Sequence, residues 1–203
     1  MKKEEIILYF NLNKTQIEKI EFFISGIINY NQHTNLVGGS TIENIWNRHI
    51  LDCLQLSKYI DNKELNILDL GTGAGLPGVL LSIFGYKNIL MIDSVKKKTD
   101  FVKKIIQELS LTAKIQNIRI EKLTTSNQDI IVSRALAPLN KLLTYARLHS
   151  NKNTTSLFLK GRNANNEIKM SKKNFHYDFK IFESISGGNG HVLKIKNIRI
   201  KND

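Results

Sequence analysis

The residues best suited to chemistry stand in one run, Asp69-Leu70-Gly71-Thr72-Gly73-Ala74-Gly75-Leu76-Pro77-Gly78. Glycines let a backbone turn tightly and let a ligand approach with no Cβ in the way. The run follows a strand-like segment and opens a helix-like one, the context of a nucleotide-type cofactor site. Three ligands compete for it. A triphosphate loop needs Gly-x-x-x-x-Gly-Lys-Ser/Thr; Gly73 and Gly78 have that spacing, but Val79-Leu80 follow and no phosphate-binding lysine does. The dinucleotide pattern Gly-x-Gly-x-x-Gly is met by Gly73, Gly75 and Gly78. The third ligand, S-adenosylmethionine, goes with Asp-x-Gly-x-Gly-x-Gly, met by Asp69, Gly71, Gly73 and Gly75. It carries an ammonium, a carboxylate and a sulfonium but no phosphate. Asp69 suits the ammonium, directly or through water, and would repel a pyrophosphate.

Asp93 ends the next apolar run, 18 residues after Gly75. An acid there accepts hydrogen bonds from both ribose hydroxyls. NAD and the methyl donor share that need, and Asp93 with Ser94 could equally cap the next helix. Asp93 therefore does not discriminate between them.

The elements that must hold these residues can be read from periodicity. Leu12, Ile17, Ile20, Phe23-Ile24 and Ile27-Ile28 recur at helical spacing, with Asn13 or Thr15 as a cap. A second helix is expected over Ile42 to Tyr59, with Asn31 to Asn35 as a loop between. After Asn66 the pattern changes to short apolar runs: Ile67 to Leu70, Ile89 to Ile92, Ile115 to Ile120, Ile130 to Val132 and Leu157 to Leu159. Helical segments alternate with them over Gly78–Phe84, Val95–Leu109 and Leu139–Leu148. Such alternation implies a parallel sheet covered on both faces. Tyr177–Ser184 and His191–Ile200, joined by Gly187-Gly188-Asn189-Gly190, must pair as an antiparallel hairpin. The expectation is an α/β fold with seven strands, in two parts: a helical cap over 1–65 and a Rossmann-like domain over 66–203. The terminal hairpin and the lack of chain for a substrate domain, together with Asp69, favour the methyl donor over NAD.

Composition limits the partners. The 203 residues carry a net charge of +12, but residues 1–85 hold 7 Lys/Arg against 9 Asp/Glu. The positive excess thus lies wholly after the glycine turn. Lys and Arg that neutralise phosphates release condensed counterions, so a polyanion is the expected partner. The other reading is lysine-rich drift that serves solubility. No apolar run approaches the ~20 residues of a membrane span, and Met1-Lys2-Lys3-Glu4-Glu5 does not open a signal peptide. Cys53 is the sole cysteine, so no internal disulfide forms and it reads as a small buried hydrophobe. A cytoplasmic monomer without metal is expected.

Several stretches together resemble the small-subunit ribosomal RNA methyltransferase G family, also called glucose-inhibited division protein B. These are the turn closed by Leu76-Pro77-Gly78, Asn35-Leu36, Trp46-Asn47-Arg48-His49-Ile50-Leu51-Asp52, Asp93-Ser94 with Lys97-Lys98, Ser133-Arg134-Ala135 and Lys160-Gly161. The resemblance covers roughly residues 20–165. It departs at Val37, where the family has threonine, and at Ile120, where the family commonly has alanine. It implies a class I methyltransferase fold and methylation of guanine N7 in the 530 loop of 16S rRNA. It also implies a donor site that includes Gly71, Leu76, Ile120-Glu121 beside the adenine, and Arg134.

The fourth strand offers an independent check on the reaction. Exocyclic-amine methylation often uses Asn/Asp-Pro-Pro-Tyr/Phe there, and pyrimidine C5 methylation needs a cysteine nucleophile. Ser133-Arg134-Ala135 is neither. Guanine N7 has an in-plane lone pair and no proton to lose, so positioning supplies most of the rate. Arg134 is expected to orient the donor or the guanine. Lys97, Lys98, Lys160 and Arg162 are the candidate RNA contacts, although Lys96–Lys98 could be only a solvated helix face. His49 reads as a core or surface histidine rather than a base, and Arg48 with Asp52 as an ordinary i,i+4 ion pair. The rival functions are methylation of another substrate and ribosome or RNA binding with a vestigial donor site.

Overall fold

The computed structural model describes residues 1–124 and 128–201. Helices α1 (Lys3–Tyr9) and α2 (Lys14–Asn31) come first. Asn13 caps α2 by accepting from the Gln16 N–H at 2.9 Å, while Gln16 reaches back to the Asn13 N–H. The expected helix over Ile42 to Tyr59 is broken. A wide π-type turn covers Trp46–Leu51, then come α3 (Asp52–Leu54) and a tight 3-10 turn (Gln55–Tyr59). Apolar periodicity cannot distinguish these windings. Wide turns of this kind concentrate at functional sites, and this one carries Arg48, His49 and, at its end, Asp52.

The sheet holds β1 (Asn66–Leu70), β2 (Asn88–Asp93), β3 (Lys114–Asn117), β4 (Ile130–Arg134), β5 (Thr155–Lys160), β6 (Phe175–Glu183) and β7 (His191–Ile200). Their order is β3-β2-β1-β4-β5-β7-β6. The first five strands run parallel, and β7 pairs antiparallel with both β5 and β6. Helices α4 (Gly78–Ile83), α5 (Lys96–Glu108), α6 (Leu139–His149) and α7 (Ala164–Ser171) complete the fold. The seven-stranded sheet with its terminal hairpin agrees with the reading from sequence. The third strand is shorter than its apolar run suggests: it leaves the sheet at Asn117, and Ile120–Lys122 form a 3-10 turn. Helix α7 was not foreseen. It is short, and Lys169, Asn165 and Asn166 dilute its apolar pattern.

Strand alternation divides the core. Ile67, Met91, Ile130 and Val132 face one side, where α1, α2, α4 and α5 bury Ile6, Ile20, Phe23, Val79 and Phe101 in the same cluster. Leu68, Leu70, Ile131 and Phe158 face the other, against Leu139, Leu142 and Leu143 of α6. The N-terminal helices therefore share a core with the sheet. The chain turns from the β1–β2 side to β4 at the centre, so a crevice opens at the carboxyl ends of β1 and β4. No helix among the described residues is long and apolar enough to cross a membrane.

Candidate active site at the strand ends

The turn after β1 is fastened by two carboxylates. Asp69 alternates with Leu68 and Leu70, so its side chain points under the turn toward α4. There its Oδ2 accepts from Thr72 Oγ1 at 2.5 Å and from the Gly78 N–H at 2.9 Å. Asp69 is fully buried and its Oδ1 has no partner among the described residues. Desolvation pushes its carboxyl up to about 7, against the pull of those two hydrogen bonds. It does not line the cleft above. From this buried position Asp69 shapes the turn from below.

Asp93 does the same work from β2. Its Oδ2 accepts from the Gly73 N–H at 3.0 Å and its Oδ1 from the Val95 N–H at 2.8 Å. The bond to Val95 closes a turn ahead of α5, whose N-cap is Val95 itself and has no side-chain cap bond, so Asp93 is not that helix's cap; it also lines the cleft. The glycines serve unlike purposes. At Gly73, with φ of +59°, an added Cβ would meet nothing within 4 Å. At Gly78 it would press on Met91 and come within 2.8 Å of Asp69 Oδ2. Gly73 keeps the space above the turn free; Gly78 lets α4 pack on the sheet.

The main cleft has a volume of about 430 Å³ and runs over Gly71, Gly73, Leu76 and Asp93, with Lys98 and Arg134 at its sides. A smaller recess of about 110 Å³ continues past Asp93 between Ile118 and Tyr145 and includes Ile120 and Glu121. The Glu121 carboxyl is held below its ordinary range by a hydrogen bond from its own backbone and by the Tyr145 hydroxyl. Every expected donor-site residue except Asp69 and Gly75 thus lines one continuous trough. Gly75 packs beneath it, where an added Cβ would collide with Val79.

His49 belongs to this trough, which sequence reasoning missed. It is buried, and its Nε2 lies 2.6 Å from Thr41 Oγ1. The Thr41 hydroxyl donates to Gly38 O at 2.6 Å, so Nε2–H is the donor and Nδ1 is left bare. Burial, with Arg134 and Arg48 nearby, lowers its pKa to about 4, so the ring is neutral at pH 7. Cys53 is wholly buried and its thiol is pushed far up by desolvation.

Arg134 ends β4 and separates the trough from a second cleft. Its Nε donates to Asp52 Oδ2 at 2.9 Å and one terminal nitrogen to Arg48 O at 2.9 Å. The expected Arg48–Asp52 pair is therefore not made, because Asp52 turns to Arg134 instead. Asp52 Oδ1 also accepts from Gln55 Nε2, Ser184 Oγ and Ser186 Oγ at 3.0, 3.3 and 3.1 Å. One carboxylate thus ties the N-terminal helices, β4 and the loop between β6 and β7.

The basic candidates separate. Lys97 is exposed on α5, Lys98 is half-buried beside the trough, and Lys96 pairs with Asp100 at 2.8 Å. Arg162 is exposed. Lys160 is turned inward, to Glu167 at 2.6 Å and Ala137 O at 3.0 Å, with 9% of its side chain exposed. Its ammonium is thus engaged within the fold, although it also lines the second cleft beside Arg134.

Comparison with solved structures places the architecture. It resembles a ribosomal protein L11 methylase from Lactobacillus delbrueckii subsp. bulgaricus, with TM-score 0.59 and 19% identity over 72% of this chain and 76% of that one. It also resembles a TehB-like SAM-dependent methyltransferase from Corynebacterium glutamicum, with TM-score 0.56 and 18% identity over 74% and 88%. The fold is that of the class I S-adenosylmethionine-dependent methyltransferases. Within that class the sequence is more specific. A model of the rRNA small subunit methyltransferase G family matches residues 16–194. Ribosomal RNA small subunit methyltransferase G of Rickettsia prowazekii is 38% identical over 182 residues, 90% of this chain and 94% of that protein. That of Orientia tsutsugamushi is 35% identical over 187 residues, 92% and 93%. The chain belongs to the rRNA small subunit methyltransferase G family.

Proposed function

We propose that this protein uses S-adenosylmethionine to methylate N7 of a guanine in the 530 loop of 16S rRNA. The trough supports the donor. Gly73 leaves open the space that the donor's amino-acid end needs, and Asp93 stands where trough and recess meet, the place for a ribose. Ile120 and Glu121 flank the recess for the adenine, and Gly71 and Leu76 form the floor. When bound, the donor supplies an electrophilic methyl: N7 forms the new N–C bond as the C–S bond breaks, sulfur keeps the electron pair and guanine takes the positive charge.

The observation that carries the choice of N7 is that the trough's carboxylates are already engaged, Asp93 by the Gly73 and Val95 N–H groups and Glu121 by its own backbone and Tyr145, and that three other candidates are not available as base or nucleophile. His49 has a pKa of about 4, Asp69 lies beneath the floor, and Cys53 is buried and protonated. Attack by N7 requires none of them, so the residues present have only to bind, orient and exclude water. Arg134 orients the reacting partners, held by Asp52. Lys97, Lys98 and Arg162 meet the RNA backbone, and the chain works as a monomer in the cytoplasm on the small subunit or its rRNA.

Mass spectrometry of 16S rRNA from cells with and without the protein tests this reading. The 530-loop 7-methylguanine is expected only in the first. Its unchanged presence in both would overturn the assignment of the target.

A further inference from the structure

The second cleft, about 260 Å³, lies on the far side of Arg134 from the trough. Its walls come from four distant segments: Arg48 and Asp52, Arg134-Ala135, Leu159 to Gly161, and Ser186 to Gly190. Arg134 and Ala135 line both cavities, so the two meet there. Ala135 has φ of +53°, a conformation that costs a non-glycine residue of order 1 kcal/mol and concentrates at functional sites. Gly187 and Gly188 also have positive φ, and they present bare backbone to the cleft.

The charges facing this cleft are unequal. Asp52 is engaged by Arg134, Gln55, Ser184 and Ser186. Lys160 is engaged by Glu167 and Ala137. Arg134 has used two nitrogens. Arg48 is exposed and makes no side-chain hydrogen bond or ion pair among the described residues. A Cβ on Gly188 would stand 3.0 Å from its Nη1, so the guanidinium lies directly against the loop backbone.

We propose that this cleft receives one guanine flipped out of the RNA, and that Arg48 selects guanine by donating to O6. The inference rests on the proposed N7 reaction and deepens it. N7 must point toward the donor across the wall that Arg134 and Ala135 form between the two cavities. O6 lies beside N7 on the same base edge, so its donor must sit near that wall, and Arg48, which lines the cleft, is the guanidinium left free to do so. A contact to both O6 and N7 is excluded in the reacting complex, because the N7 lone pair is in use. A donor aimed at O6 accepts guanine and rejects adenine, which presents an amino group at that position. At Gly187 an added Cβ would meet nothing within 4 Å, so its backbone gives the flat ring a surface beside the Arg48 guanidinium. Enzymes that modify a base in structured nucleic acid commonly extrude it in this way.

The test uses full-length protein and a fragment of small-subunit rRNA carrying the target loop, with Arg48→Ala and Arg48→Lys. Arg48→Ala is expected to lower kcat/KM for RNA about tenfold or more while donor affinity, by calorimetry, stays within about twofold. Arg48→Lys is expected to restore part of it, because an ammonium can still donate one hydrogen bond to O6. The salt slope of RNA binding is expected to stay unchanged in Arg48→Ala, whereas loss of a phosphate contact would reduce it by about one. Replacing the target guanine by adenine should penalise the wild type more than Arg48→Ala. A reduced salt slope, or equal base preference in the wild type and Arg48→Ala, would each overturn the proposal. Methylation by the wild type at an atom other than N7 would instead overturn the underlying reading, and the position of the methyl on the digested nucleoside separates the two failures.

Discussion

The turn after β1 and the cleft beyond Arg134 share a wall but are assembled differently. The turn is local: Asp69, Thr72, Gly73 and Gly78 lie within ten residues, and one distant carboxylate, Asp93, fastens it from the next strand. The second cleft has no local frame. Asp52 gathers Arg134 from 82 residues away and Ser184 and Ser186 from 132 and 134 residues away. The turn buries its organising carboxylate completely, while Asp52 and Arg134 keep 18% and 19% of their side chains exposed. Part of the molecule is thus set by backbone geometry beside a dry core. The other part depends on a polar junction that water can reach.

The largest effect should come from filling the space above the turn. Gly73→Val places a branched side chain in the trough, at a φ of +59° that favours glycine. Donor affinity should fall by about a hundredfold, roughly 2.7 kcal/mol, as read by calorimetry, while RNA affinity changes little. Donor binding within threefold of wild type would show that the trough is not the donor site.

Next comes the junction. Asp52→Ala removes the acceptor of a partly buried guanidinium and of three other donors, and should cost about 2 kcal/mol of stability in urea unfolding. The distinguishing readout is a double-mutant cycle with Arg134→Ala. A coupling energy above about 1 kcal/mol is expected for stability. Additive losses would mean that the carboxylate and guanidinium are neighbours without being partners.

The same contrast explains what could be read from the sequence. Strand-ending acids and closely spaced glycines are a local signal, so Asp69 to Gly78 and Asp93 could be placed at a ligand site before any fold was known. Alternation of apolar runs and helices likewise gave the sheet and its hairpin. Arg48, Asp52 and His49 lie in a stretch whose apolar spacing suggested a plain helix, and an i,i+4 pair was the natural reading. Its true partners are distant in sequence, and a wide turn replaces the helix. Lys160 followed a strand and looked free, but nothing local announced that Glu167 of α7 would neutralise it.

A smaller effect should come from crowding beneath the turn. Gly78→Ala must displace Met91 and press on the oxygen that Asp69 uses to hold the Gly78 N–H. Met91 can adjust, so the cost should be roughly 1–2 kcal/mol, with donor affinity reduced only a few-fold. A variant as stable as wild type would show that the turn is looser than its glycines suggest.

The smallest expected effect is one that cancels. Asp69 has its pKa raised from 3.8 to about 7. Between those values the folded chain holds a proton that the unfolded chain has released, so this group makes stability fall as pH rises. His49 is lowered from 6.5 to about 4. Over that window the unfolded chain holds the proton, so this group makes stability rise with pH. Each slope is bounded by one proton, about 1.4 kcal/mol per pH unit, and from pH 4 to 6.5 they oppose. Single variants should expose them. Relative to wild type, Asp69→Asn should lose stability progressively as pH falls from 7 to 4, because it cannot gain from protonation. His49→Gln should gain relative stability as pH falls from 6.5 to 4, because the unfolded state no longer takes up that proton. Urea midpoints at half-unit pH steps would measure both. Parallel curves for all three proteins would mean that neither group is desolvated as its burial requires, and the turn and the trough wall would then be open to water like the junction beside them.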